Sequence, residues 1–386
     1  MVKKILFISA LFLVMLLSYS VLSAETITIG LTLGLTGKYA NTAKMQNNAY
    51  KLWADSINKQ GGVLGQPIKL IIYDDKSSKE EAVLLYKKLI TEDKVDFIFG
   101  PYSSGITKAI APLAEQYNMP MLAPGAASDS IWEMGYRHVF GMWSPASKYP
   151  LGFLQMLKLK HISKIAIIFA DDGFSIGLAK GAKKWATAMK HDVLLYHQFK
   201  KGNHNLTDIA KKVKLSQTKV LMVIGHFNEA IDMKKALKRI NWKPEIFYAT
   251  VAPTLEKYNT TLKSDADLSF STSHWEAHSG LILPGSEKFS TAFYKRYKTA
   301  PSYHATTAYA ACQLLRKAIL KTNGTNKDKI EEIYRAINTT TVLGKYGVNK
   351  KTGIQEKHFP LVIQWQNSKK EIVWPKTLQT AEPIFK

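Results

Sequence analysis

Cys312 is the only cysteine in the sequence, so no internal disulfide can form. It stands in the apolar run 310–315, which reads as a helix face, and is expected as a buried structural thiol, not a nucleophile. Arginine is scarce: five among 53 basic residues, set against 30 acidic ones for a net charge of +23. Phosphate and base recognition favours the planar guanidinium fork. No basic cluster is interleaved with aromatics, so the lysines read as a solvated surface and nucleic-acid binding is not expected. Attraction to anionic solutes or to an anionic membrane surface stays open. Beyond the first residues no run approaches the ~18 apolar residues that a membrane helix needs. Catalytic signatures are missing too: no G-x-S-x-G, Walker, G-x-G-x-x-G or H-E-x-x-H sequence occurs. His191, His197 and His204 lie six and seven apart, which is not metal-ligand spacing. Asp74-Asp75 and Asp171-Asp172 are adjacent acids, and neighbours on a strand point apart, so turn and cap roles are expected of them. No enzyme activity, metal site or cofactor is expected.

The start of the chain is distinctive. Lys3 and Lys4 precede an apolar run over 5–17 and a small, polar stretch over 18–24. This is the pattern of a secretory signal peptide, 1–24, with cleavage expected after Ala24. No cysteine stands near the cut, so a lipid-anchored form is not expected. The remaining ~360 residues suit two domains better than one.

Strand and helix patterns then alternate. Strands are expected over 27–33, 68–73, 95–99 and 119–123, with helices over 43–59, 79–91 and 104–117. Between the first helix and the second strand, Asn58 to Gly65 reads N-x-x-G-G-x-x-G: a helix stopped by two glycines, then a tight turn. The alternation restarts after Phe140-Gly141-Met142-Trp143-Ser144-Pro145, a candidate crossover. Helices are expected over 151–160, 176–190, 206–215 and 228–240, with strands over 164–169, 193–199 and 220–224. Two more helices, 303–322 and 327–339, precede a closing hairpin over 358–374. Such βαβ alternation indicates an α/β fold: two doubly wound, mostly parallel sheets with helices on both faces.

Ligands of such sheets sit beyond the carboxyl ends of the strands. Three first-half loops lie there: Gly34 to Thr42, Gly100 to Gly105, and Pro124 to Asp129. Ser103 and Ser104 either cap a helix and nothing more, or leave its N–H groups to hold a carboxylate. Small residues at 125–127 let backbone approach a ligand closely. The second half offers 171–175, 225–228 and 249–251, where Phe174 and Phe227 either pack the core or close over a ligand.

Several segments, in shared order, resemble the periplasmic branched-chain (leucine/isoleucine/valine) amino-acid-binding proteins of ABC importers. They are Ile29-Gly30 leading to Thr36-Gly37, Gly61-Gly62, Asp74-Asp75, Gly100 to Ser104, Ala123 to Ala126, Gly135 to His138, Lys164 to Ile168 and Ala308 to Ala311. The resemblance covers nearly all of the chain beyond the signal peptide. It implies a type I periplasmic binding protein (Venus-flytrap) fold, two lobes joined by a three-strand hinge with crossovers near 142–147, 270–278 and 345–357. The N-terminal lobe would hold 25–143 plus 275–350, and the C-terminal lobe 144–274 plus 351–386. The implied protein is a periplasmic monomer that closes on a small molecule and docks on an inner-membrane ABC permease.

Site roles carry over residue by residue. Ser104 matches the serine that holds the ligand carboxylate, beside Tyr102 and Ser103. Ala126 and Ala127 match a loop that offers backbone groups, with Ser128 in reserve for the hydroxyl usual at 127. Phe174 matches an aromatic closing from the second lobe, and His226 or Phe227 another. Thr42 replaces a wall aromatic near Tyr39. Thr250 stands where amino-acid binders place an acid against the ammonium, and Glu229 or Glu276 would have to replace it. The expected ligand is a small organic acid, aromatic in view of Tyr39, Tyr102, Trp143, Phe174 and Phe227. A branched-chain or other neutral amino acid is the alternative, and a sensor subunit for a membrane receptor shares the same fold.

Overall fold

The computed structural model describes residues 25–277 and 283–385. The expected signal peptide and the stretch 278–282 that follows the second crossover lie outside the described residues. β1 (Ile27–Leu33) is buried on both faces except at Thr28, as a central parallel strand must be. It is followed by α1 (Ala40–Asn58), β2 (Ile68–Asp74), α2 (Lys79–Thr91), β3 (Phe97–Phe99), α3 (Ser104–Gln116), β4 (Met121–Ala123) and β5 (Val139–Gly141). These strands form one parallel sheet in the order β2-β1-β3-β4-β5.

The chain then crosses to a second sheet. α4 (Leu151–Leu159), β6 (Lys164–Ala170), α5 (Gly173–Ala188), β7 (Asp192–Phe199), α6 (Thr207–Leu215), β8 (Val220–Ile224), α7 (Phe227–Arg239), β9 (Ile246–Ala249), α8 (Glu256–Leu262) and β10 (Ser269–Ser273) build it. A return crossing adds α9 (Ser286–Tyr297), α10 (Tyr303–Thr322) and α11 (Lys327–Ala336) to the first lobe, then the hairpin β11 (Thr339–Thr341) and β12 (Gly344–Tyr346). The third crossing delivers β13 (Leu361–Gln366) and β14 (Lys369–Trp374), which close the second sheet antiparallel in the order β14-β13-β10-β9-β8-β6-β7. The architecture is two α/β lobes joined by three chain crossings.

Local chemistry explains the first turn. Gly62 N bonds Ile57 O at 3.0 Å and Gly61 N bonds Asn58 O at 3.1 Å, which stops α1. The Asn58 side chain then takes the place of a strand partner: it donates to Ile68 O at 2.8 Å and accepts from Ile68 N at 2.7 Å. Helix end and strand start are thus pinned by one residue. Asp74 and Asp75 fill turn roles: Asp74 accepts from Thr36 N and Oγ1, and Asp75 from Ser77 N.

The three crossings meet. Trp143 after β5 stacks on His274 after β10 at 5.5 Å, and His274 lies 5.1 Å from the ring of His358 before β13. The Ser144 hydroxyl donates to His358 O. The three crossing segments thus pack side by side between the lobes.

Candidate functional site

In a parallel sheet each following helix starts at the carboxyl edge, so helix N-termini gather where the lobes face each other. A cavity lies there, lined by Tyr102, Ser103, Ser104 and Gly125 of the first lobe, Trp143 and Tyr149 near the hinge, Tyr303, and Phe174, His226 and Val251 of the second lobe. Four of these residues mark helix starts: Ser104 on α3, Phe174 on α5, His226 before α7 and Tyr303 on α10. Each start contributes partial positive charge and free N–H groups.

The four starts differ. On α5, Asp172 accepts from Phe174 N at 3.2 Å and Ser175 N at 3.3 Å. On α7, Glu229 accepts from His226 N at 2.9 Å. On α3 and α10 the cap residues, Ser103 and Ser302, make no side-chain cap hydrogen bond. The second lobe thus brings its own anions, and the first leaves its donors open.

The cavity measures about 10 Å³, barely the space one water needs. The lobes are closed on each other. Lys201 Nζ donates to Tyr39 Oη of the facing lobe at 3.1 Å and lies 3.1 Å from Asp172 Oδ2. Lys257 Nζ reaches Asn41 Oδ1 at 2.8 Å, and Ser128 Oγ donates to Gly173 O at 3.2 Å. Tyr102 Oη stands 3.4 Å from His226 Nδ1, whose Nε2 is 3.4 Å from Asp172 Oδ1. Burial opposes the charge on Asp172, but His226, Lys201 and the Ser175 hydroxyl outweigh it and hold the carboxyl well below its ordinary range. Burial likewise opposes the ammonium of Lys201, and Asp172 and Tyr39 reverse the effect.

Five of the residues expected at the site line the cavity: Tyr102, Ser103, Ser104, Phe174 and His226. Seven do not. Tyr39 sits one layer out, its ring 5.3 Å from Tyr102 and 5.2 Å from His226. Thr42, in the first turn of α1, donates back to Tyr39 O just before the helix. Ala126 is fully buried. The N–H groups of Ala127 and Ser128 point at Ser104 Oγ, at 3.1 and 3.0 Å. Ser104 accepts both, which leaves its own proton for an acceptor in the cavity. Phe227 packs in the second lobe's core, so of the two phenylalanines only Phe174 forms cavity wall. Thr250 staples strand ends together, donating to Gly225 O at 2.6 Å and accepting from Gly225 N at 2.9 Å.

Neither expected replacement acid faces the cavity. Glu229 caps α7. Glu276 accepts from Ser273 Oγ at 2.8 Å and pairs with Lys370 at 3.1 Å.

Gly125 and Val251, also in the cavity wall, stand in the strand-end loops expected to face a ligand, whereas Tyr149 and Tyr303 lie outside those loops. Val251 carries a further signal in three dimensions. It has φ 61° and ψ −64°, and Ala252 N bonds back to Thr250 O at 2.7 Å, a γ-turn that strains a β-branched residue. The Pro301-Ser302 pair before α10 is the sequence mark that could have pointed to Tyr303. Among the described residues no group of three His, Cys, Asp or Glu is placed to hold a metal.

Comparison with known proteins places this arrangement. Residues 26–369 match the periplasmic binding protein family. The Leu/Ile/Val-binding protein homolog 7 of Brucella suis is 22% identical over 384 residues, spanning 93% of this chain and 94% of that protein. The branched-chain amino acid transporter substrate binding protein LivJ of Streptococcus pneumoniae, in complex with isoleucine, superposes with a TM-score of 0.82 at 21% identity, covering 91% of this chain and all of that one. A solute-binding protein of an ABC transporter from R. palustris, in complex with benzoate, gives 0.80 at 17% identity, covering 90% and 96%. At these identities the structural likeness speaks for the fold, while the sequence match over most of the chain speaks for descent. The chain belongs to the periplasmic binding protein family.

Proposed function

We propose that the protein captures a small organic acid, without an ammonium group, between its lobes and delivers it to an ABC permease. The observation that carries this is the pairing of the acids around the cleft. Asp172 holds Lys201 and two N–H groups, Glu229 caps α7, Glu276 holds Lys370, and Thr250 stands where amino-acid binders carry an acid. A ligand ammonium taken from water with no countercharge costs several kcal/mol. A carboxylate meets the opposite situation: the open starts of α3 and α10 and the free proton of Ser104. The aromatic walls suit a ring, and the R. palustris relative shows that this fold can hold benzoate.

In this reading the lobes are 25–143 plus 275–350 and 144–274 plus 351–386, they part to admit the ligand, and the protein works as a periplasmic monomer. The names of relatives such as the Brucella protein favour a second reading, a branched-chain amino acid. A thermal-shift series with benzoate, aliphatic hydroxy acids, leucine and valine decides between them. A ligand at 100-fold its Kd adds about 2.7 kcal/mol of stability. Stabilisation by the acids alone supports the proposal, and stabilisation by leucine or valine alone overturns it.

A further inference from the structure

Tyr149 lines the cavity and is 3% exposed, yet its hydroxyl has no hydrogen-bond partner among the described residues. The side chain is held in place. Its ring lies 4.6 Å from His274 and 6.0 Å from Phe174, and its carbonyl accepts from Thr272 Oγ1 at 2.8 Å. These contacts pack the ring on two sides beside the cavity. Beyond it sit three more incompletely satisfied groups: both ring nitrogens of His274, Nε2 of His304 and Nε2 of His358.

These groups share one property. Burial, joined by neighbouring imidazoles, pushes His274 well below its ordinary range, and burial brings His304 down to about 3 and His358 to about 4. Burial pushes the Tyr149 phenol the other way, far above 10. All are neutral near pH 7. The hinge side of the cavity thus offers hydrogen bonds without charge, while the start of α3 offers donors suited to an anion.

Buried polar groups are nearly always paired, and those that are not call for a specific explanation. At the wall of a ligand cavity, the explanation is a partner brought by the ligand. We infer that Tyr149 is a specificity-determining residue, its hydroxyl binding a neutral polar group, a hydroxyl or carbonyl, that the ligand carries in addition to its carboxylate. The inference rests on the carboxylate reading given above.

Calorimetric titration of the mature chain with benzoate, 3-hydroxybenzoate and 4-hydroxybenzoate tests it, in wild type and in Tyr149→Phe. Wild type should bind one hydroxy acid about tenfold or more tighter than benzoate, the effect of pairing a group otherwise left unsatisfied. Tyr149→Phe should bring that ratio to about one, whatever it does to benzoate itself. A purely structural role for Tyr149 would change Tm and leave the ratio. Equal wild-type affinity for all three acids overturns the inference while leaving the carboxylate reading intact, as does a ratio that survives in Tyr149→Phe. Binding of none of them removes both. The wild-type ratio stands as a test even if the variant does not fold.

Discussion

Asp75 is fully buried, where Thr32 Oγ1 donates to it at 2.7 Å and Ser77 N at 2.9 Å. Burial prevails over those bonds and, with Asp74 and Glu81 adding repulsion, pushes its carboxyl up to about 6 from an ordinary 3.8. A carboxyl whose folded value is raised contributes stability that is complete below the unfolded value and is lost as pH rises through the folded one. Asp75→Asn should therefore gain on wild type between pH 4 and 7 by on the order of 1–2 kcal/mol. Melting curves across that range check it, and a difference that does not change with pH contradicts it. Single residues also show what a sequence can reveal of a site. Ser104, Phe174 and His226 stand in strand-end loops, where chain order alone points to ligand. Tyr149 and Tyr303 do not, because their neighbours come from distant segments. The engagement of Glu276 was illegible for the same reason: its partner, Lys370, arrives two crossings later.

At the scale of elements, the turn after α1 separates two adjacent glycines. Both adopt left-handed backbone, with φ 90° at Gly61 and 81° at Gly62. A Cβ on Gly61 meets nothing within 4 Å, whereas one on Gly62 would lie 2.0 Å from Gln66 O. Gly61→Ala should cost about 1–2 kcal/mol, the left-handed penalty alone. Gly62→Ala adds a backbone clash and should cost about 3 kcal/mol or more. Urea denaturation of the two variants measures the gap, and equal costs would show that the turn relaxes. Legibility also varied by element. The apolar strands β1, β6 and β8 were readable because parallel strands bury both faces. β10 was not, since it reads Ser-Phe-Ser-Thr-Ser and yet is buried throughout. Its hydroxyls find partners that no pattern displays: Ser269 meets Tyr258 Oη, Thr272 donates to Tyr149 O, and Ser273 donates to Glu276.

The whole sequence has a net charge of +23, a balance that favours the approach of anions over cations. The two-lobed plan was legible in the sequence through the restart of strand–helix alternation. The closed approach of the lobes was not, since contacts such as Lys201 to Tyr39 join segments that only folding brings together. What distinguishes the lobes is the state of their helix starts. α3 and α10, on one lobe, are open, while α5 and α7, on the other, already hold Asp172 and Glu229. On the carboxylate reading proposed above, that asymmetry would divide the labour in time: the first lobe, with its donors uncapped, would receive the anion while the cleft is wide, and the second lobe, its own charges settled, would govern how long the guest stays. Lys201→Met removes a bond across the cleft and should shorten residence about tenfold, the change falling mainly on dissociation. Stopped-flow rates for an acid that binds the wild type would show it, and a change confined to association would assign the receiving role to the second lobe instead.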